Sequence, residues 1–334
     1  MYILGIETSC DETSAAVSKD RNILSNTTVN QIVHTEYGGV VPEIASREHL
    51  VLIDKVVDKA IHESGIKIKD LKAVAVTNGP GLKGALMIGV NFAKGFSIAN
   101  DIPIIGVNHM EGHLFANFID SDNIRYPFLC MLVSGGHTQI WLVKGYQDYK
   151  LYSTTIDDAA GEAFDKGARM LGLNYPGGPE IEKLAKEGVI DRFSFPIAKI
   201  KESKFNFSFS GLKTSLYYLL KNKSSELSDS DKKDLAASYQ EAILNALIQK
   251  LIYVSNETGV KHMVISGGVT ANQRFRSKLS NLVNEDRSYE IIYPPIKYCT
   301  DNAAMICVSG YEKLINKQFS DITLDIYPNL LMSE

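Results

Sequence analysis

The stretch Leu4–Ser18, LGIETSCDETSAAVS, joins an apolar run to a polar turn and a second apolar run. Tyr2 to Ile6 and Ala15 to Val17 read as strands, with the turn between them. The same pattern returns at Met131–Lys144, MLVSGGHTQIWLVK, where Phe128 to Val133 and Gln139 to Val143 flank the small-residue turn SGGHT. Two copies of one strand-turn-strand unit imply internal duplication and two lobes. Chance similarity of two short hairpins is the competing reading. The chain has 334 residues, long for one core and suited to two.

Around these hairpins strands and helices alternate. Ala45 to Ser64 places apolar residues at Leu50, Ile53, Val57 and Ile61, a helical period, and Gly65 supplies a stop. LKAVAV, residues 71–76, is a buried strand, and NGPGLKGAL leads into an apolar helix through Ile98. Ile104 to Val107 is a strand, and Asn108 is placed to cap a helix from His109 to about Ile119. Polar residues Asp120 to Arg125 suit a hinge. Asp158 to Leu173, Ser228 to Thr258 and Cys299 to Lys317 read as helices, and His262 to Ile265 as a strand. The alternation gives an α/β class, and its glycine turns follow strands, where such sheets bind ligands.

Composition narrows the function. Apolar residues make up 45% and charged residues 22%, with a net charge of −4, so nothing global draws the chain to nucleic acid or anionic membrane. Cys10, Cys130, Cys299 and Cys307 form no CxxC pair and suit a reducing compartment. The opening MYILGIETSCDE has neither basic leader nor long apolar core, and no stretch reaches the roughly 20 apolar residues of a membrane span. A cytoplasmic protein is expected.

Three turns suit phosphate: Glu7-Thr8-Ser9, Ser134 to Thr138 and Ser266 to Thr270. In the two glycine turns the backbone can approach an anion and offer N–H groups to it, although tight turns need glycine anyway. Asn78 to Gly84 is a fourth glycine turn, equally readable as punctuation before a helix, and Lys83 there could face a phosphate. No GxxxxGK[ST] motif is present, which excludes the P-loop class.

In NHMEGHL, residues 108–114, His109 and His113 lie four apart and share a helix face, so both imidazoles could hold one ion. The glutamate stands one place later than in HExxH. A capping histidine beside an unrelated one is the plain alternative. Asp301, in the Thr300-Asp301-Asn302 turn, is a candidate third ligand; two histidines and a carboxylate suit iron, with zinc also possible. Asp11 and Glu12 are adjacent acids open to a catalytic or a merely solvated role. Asp165 stands on a helix, where one carboxylate is usually a surface residue, and Asn272 can cap a helix or touch a ligand. Arg192, Lys199, Lys201, Lys204, Lys213, Lys221 and Lys223 interleave with Phe193, Phe195, Phe205, Phe207 and Phe209. That mixture fits nucleic acid, or a solvated loop over a small apolar cluster.

GIETSCDET, HTEYGGVVPEIASREH, GPGLKGAL, HMEGH, LVSGGHT, DDAAGEAFDK, YPGGP, FSFSGLKT, SGGVTANQ and CTDNAAM occur in this order from Gly5 to Met305. Together they closely resemble the bacterial form of the tRNA threonylcarbamoyladenosine transferase family, the universal Kae/Qri/TsaD type, over essentially the whole chain. The resemblance implies the actin-like, hexokinase-like ATPase superfold, two duplicated lobes around a nucleotide cleft. An N-terminal lobe of 1–122 plus about 300–334 and a C-terminal lobe of 123–299 follow from it. It implies transfer of the L-threonylcarbamoyl group from threonylcarbamoyl-AMP to N6 of adenosine 37 in tRNAs reading codons that begin with A, with release of AMP.

It further implies His109, His113 and Asp301 as ligands of one divalent ion, usually iron and sometimes zinc. Leu132, Val133, Ser134, Gly135 and Gly136, with Asp165, Gly178, Glu182 and Asn272, match positions that hold the adenylate. Glu182 departs from many bacterial members, and an acid there could bond a ribose hydroxyl. Asp11 and Glu12 match acids of the transfer step. The basic stretch becomes a candidate tRNA surface. The implied partners are tRNA, a degenerate paralogue as heterodimer partner and a small P-loop ATPase. The rival readings are a metallopeptidase, a small-molecule kinase of the same superfold, and a nucleotide-binding scaffold.

Overall fold

A computed structural model describes residues 1–121, 123–198, 204–222 and 227–332. The chain forms two compact units, Met1–Ile124 with Pro294–Glu334, and Arg125–Tyr293.

The first unit opens with strands β1 (Tyr2–Glu7), β2 (Glu12–Lys19) and β3 (Asn22–Asn30). Helix α1 (Pro42–Ser64) follows. Proline at its first turn presets the helical φ, and Gly65, at φ +71°, closes it in the left-handed conformation. Strand β4 (Leu71–Gly79), helix α2 (Lys83–Asn100), strand β5 (Ile104–Asn108) and helix α3 (His109–Phe115) complete the N-terminal part. Its sheet runs β3-β2-β1-β4-β5. β1 pairs antiparallel with β2 and parallel with β4, and β5 joins β4 in parallel. Leu4, Ile6, Val17, Val74 and Val76 pack with Ile53, Val57 and Val90 in one core.

The second unit holds β6 (Phe128–Val133), β7 (Thr138–Gly145), β8 (Asp148–Thr154), α4 (Ala160–Met170), α5 (Gly177–Ala185) and α6 (Ser210–Lys221). Then come α7 (Asp229–Thr258), β9 (His262–Ser266), α8 (Gln273–Glu285) and β10 (Glu290–Ile292). In α7 the Ser228 hydroxyl accepts from Asp231 N–H at 3.1 Å, and Gly259 ends the helix at φ +72°. The sheet order is β10-β9-β6-β7-β8. Read from the other edge, β8-β7-β6-β9-β10 repeats β3-β2-β1-β4-β5, with the same antiparallel and parallel pairings. The hairpin that the sequence repeats is therefore the start of a repeated five-stranded sheet. Helix α9 (Ala303–Ile315) returns to the first unit, and its Gly310 lies against Ala75 of β4.

Five elements lay outside the sequence expectation: β3, β8, β10, α5 and α6. β3 reads NILSNTTVN and β8 reads DYKLYST; each pairs on one side only at a sheet edge, so each remains half polar. α9 begins later than Cys299, because Asn302 caps it: its Oδ1 accepts from Met305 N–H at 3.1 Å. α3 also ends early, at Phe115, and a 3-10 turn covers Ala116–Phe118.

The basic-aromatic stretch resolves into core and surface. Phe207 and Phe209 are buried, and Phe193, Phe195 and Phe205 pack partly buried against the same core. These rings serve the fold rather than a partner. Lys199, Lys201 and Lys223 lie outside the described residues. Among the described residues, no helix is long and apolar enough to cross a membrane.

Candidate functional site

The strands of the first unit deliver a cluster of acids and imidazoles. β5 ends at Asn108, whose Oδ1 accepts from Met110 N–H at 2.9 Å and Glu111 N–H at 3.3 Å, as an N-cap should. That cap starts α3, and the four-residue spacing puts His109 and His113 on one face, their ring centroids 4.7 Å apart. The turn before α9 brings Asp301 to them. Its Oδ1 lies 3.1 Å from His113 Nε2 and 3.5 Å from His109 Nε2. One ligand atom from each residue lies within 4.8 Å of the others. Two ligands bound at about 2.1 Å to a single ion stand roughly 3.0–3.5 Å apart. The residues present thus fit one divalent ion.

A second observation supports the fit. Glu7, at the end of β1, is fully buried, and its Oε2 lies 3.2 Å from His109 Nδ1. The Ser9 hydroxyl lies 3.1 Å from the same nitrogen. A carboxylate behind a histidine fixes the ring and its tautomer, leaving Nε2 for a metal. Glu7 is itself held: Ser9 N–H donates to Oε1 at 2.6 Å, and Thr77 Oγ1 donates to Oε2 at 2.5 Å. Burial works against a charge on Glu7, but His109 keeps its carboxyl below the usual range. Burial also disfavours protonated His109, yet Asp301 and Glu7 outweigh it and raise its pKa to about 9. Sequence reading named the Glu7 turn but gave Glu7 itself no role; an acid closing the apolar run YILGI was the available signal.

The other parts of HMEGH have structural work. Gly112 lets α3 approach α9: a Cβ there would sit 2.9 Å from Ile306 Cδ1. Glu111 is buried and pairs with Lys313 at 3.5 Å. A peptidase needs that carboxylate facing its water, so this pairing removes the structural ground for the metallopeptidase reading.

Asp11 ends the β1–β2 turn and Glu12 opens β2. Burial, then the charges of Asp301 and Asp11, raise Glu12 well above the usual carboxylate range. The turn is clamped from behind. Gln31 N–H donates to Asp11 O at 3.1 Å, and His49 Nε2 lies 2.9 Å from Cys10 O. His49 Nε2 donates to that carbonyl, and its Nδ1 lies 2.8 Å from the Thr13 hydroxyl. Burial lowers the His49 pKa. Burial and the neighbouring acids push the Cys10 thiol far up, which disfavours its thiolate.

In the second unit the carried-over positions form three small groups. Leu132 and Val133 end β6, and Ser134 closes the turn: its N–H donates to His137 O at 2.8 Å, and its Oγ accepts from His137 N–H at 3.1 Å. Gly135 and Gly136 are exposed, and a Cβ on either would meet nothing within 4 Å. Their glycines are not demanded by packing. Gly267 is the opposite case, at φ +91°, where a Cβ would lie only 2.4 Å from Val133 O. In the next group Asp165 accepts from Gly177 N–H at 2.7 Å and also bonds the Gly178 amide, which anchors the start of α5. Burial nevertheless raises its pKa. In the third, Glu182 accepts from Gln273 N–H at 2.9 Å. Asn272 caps α8, accepting from Phe275 N–H at 2.9 Å and donating to Gln240 at 2.8 Å. The capping alternative for Asn272 is therefore realised.

The fourth glycine turn is occupied by its own chain. A Cβ on Gly81 would lie 2.7 Å from Ser9, and one on Gly79 would strike Tyr327 O. Close packing accounts for both.

Comparison with known proteins agrees with this geometry. The TsaD family, described as tRNA N6-adenosine threonylcarbamoyltransferase, matches residues 22–308. The tRNA N6-adenosine threonylcarbamoyltransferase of Thermosipho africanus is 46% identical over 99% of both chains. That of Clostridium beijerinckii is 47% identical over 99% of this chain and 98% of its own. Among solved structures, T. kodakarensis HypF aligns with a TM-score of 0.63 at 15% identity, over 94% of this chain and 48% of HypF, a likeness of fold alone. The fold is the actin-like ATPase superfold expected from the sequence. With ten ordered motifs and near-complete coverage, the chain belongs to the tRNA N6-adenosine threonylcarbamoyltransferase family, transferases that act on tRNA.

Proposed function

We propose that this chain transfers the L-threonylcarbamoyl group of threonylcarbamoyl-AMP to N6 of adenosine 37 in tRNAs reading codons that begin with A. The observation that carries the reading is the His109–His113–Asp301 triad with Glu7 behind His109. A divalent ion held there, iron first and zinc as the alternative, would supply Lewis-acid polarisation of an acyl or phosphoryl oxygen.

The remaining steps belong to side chains and backbone. The Ser134–Gly136 turn, exposed at both glycines, offers N–H groups to the adenylate phosphate. Asp165, Gly178, Glu182 and Asn272, already tied to one another's helices, form the rest of the adenylate site. The exocyclic amine attacks the carbamoyl carbon, a new C–N bond forms, the C–O bond to phosphate breaks, and AMP departs. Asp11 or Glu12, adjacent acids between β1 and β2, takes the amine proton. The Cys10 thiol, half-buried and pushed up by burial and the neighbouring acids, fits a direct transfer without a protein acyl intermediate. A paralogous partner and a small P-loop ATPase complete the reaction system in this reading.

Reconstitution tests it. The purified chain is mixed with synthetic threonylcarbamoyl-AMP, unmodified tRNA and the two partners, and nucleosides are analysed by mass spectrometry. Threonylcarbamoyladenosine is expected at position 37, and Glu12→Gln should slow its formation at least about 100-fold while metal stays bound. Absence of product with every component present overturns the proposal.

A further inference from the structure

After α9 the described residues form no further helix, yet Ser320 to Leu331 are tied down as terminal segments commonly are not. Residues Ser320 to Leu331 bond along the ends of β4 and β5. Ser320 N–H donates to Ile104 O at 3.0 Å, and Gly106 N–H donates to Ser320 Oγ at 2.9 Å. Tyr327 N–H donates to Asn78 O at 2.7 Å. Gly81 N–H donates to Pro328 O at 3.1 Å, and Asn108 Nδ2 donates to Leu331 O at 3.0 Å. Met332, which follows, is only 8% exposed.

Two of these bonds converge on His109 from opposite sides. Asn108 is the residue before His109 and caps α3 with its other side-chain atom. A seven-residue helix has little stability of its own, so its placement depends on such ties. On the other side, Gly81 packs against Ser9, and Leu82 N–H donates to Ser9 O at 2.8 Å. The Ser9 hydroxyl then meets His109 Nδ1. One strap thus supports both the backbone that carries the ligand and the group behind its ring.

We infer that the C-terminal strap positions the metal ligands, with Asn108 as the positioning residue through which it acts. The inference rests on the proposed metal site. It assigns a role in ion retention to residues that make no contact with the ion.

The test uses the full chain and three substitutions. Met332→Asp places a charge at a buried position to release the strap. Asn108→Ser keeps a good cap but is too short to reach Leu331 O. Met332→Leu preserves volume and serves as rescue. Affinity for Zn²⁺ is measured by chelator competition, and the visible spectrum of the Co²⁺-loaded chain reports ligand geometry, which general destabilisation would leave unchanged. Met332→Asp and Asn108→Ser should each weaken binding about tenfold and alter the Co²⁺ spectrum, with Met332→Leu unchanged. The double variant should lose little more than Met332→Asp alone, because releasing the strap already breaks the Asn108–Leu331 hydrogen bond. Wild-type affinity and spectrum in Met332→Asp and Asn108→Ser, or fully multiplicative losses in the double, overturn the strap's role alone. A wild-type chain that binds no ion overturns the metal reading beneath it.

Discussion

At His109 a proton would compete with the proposed metal ion. With Asp301 at 3.5 Å from Nε2 and Glu7 at 3.2 Å from Nδ1, its pKa rises from 6.5 to about 9. Because the folded value is the higher one, the proton's stabilising contribution is full below about pH 6.5 and is lost as pH passes through 9. A metal at Nε2 must displace that proton. Apparent affinity should therefore climb between pH 6.5 and 9, by up to about tenfold per unit, and level off above. Chelator competition across that range, with proton release followed in weak buffer, checks this; a flat profile would mean that His109 is not a ligand. At this scale the sequence was partly legible. The spacing of His109 and His113 announces a shared face; Glu7 is marked only as an acid closing an apolar run, and it meets His109 because β1 and β5 flank β4 in one sheet.

Turns and strands separate glycines needed by the fold from glycines free for a ligand. Gly267 and Gly136 stand in similar strand-ending motifs, SGGVT and SGGHT. At Gly267 a side chain would meet Val133 O at 2.4 Å with φ at +91°. At Gly136 it would meet nothing within 4 Å. Gly267→Ala should cost at least about 2 kcal/mol in urea unfolding. Gly136→Ala should change stability by less than about 0.5 kcal/mol yet weaken threonylcarbamoyl-AMP binding, measured by calorimetry. Equal effects on stability would remove the distinction. The same scale explains the missed elements. β3 and β8 are edge strands whose polar faces mask a two-residue period, whereas β1, β4 and β6 are buried on both faces and read plainly from their apolar runs.

At the level of the whole molecule, two units share one strand order, and each has its own core. The candidate metal ligands all belong to the first unit. An ion that binds only the folded state stabilises what it binds, by about 2.7 kcal/mol at a hundredfold excess over Kd. Adding Zn²⁺ to chelated protein should thus slow amide exchange in β1, β4, β5 and α3 more than in β6, β7 and β9. Exchange mapped by mass spectrometry reads this directly, and equal slowing in both units would place the ion's influence elsewhere.

The sequence by itself determined the α/β alternation, the duplicated hairpin, the histidine pair and the family, because these are written in local periodicity and in ordered motifs. It left open which glycines pack, whether Asn272 caps α8, and where Glu111 points. Tertiary structure decided those, and it alone brought Glu7, Ser9 and the strap of residues 320–332 to His109. The physical reason is that hydrogen bonds and charges act over a few ångströms, while the partners here lie about a hundred to more than two hundred residues apart along the chain.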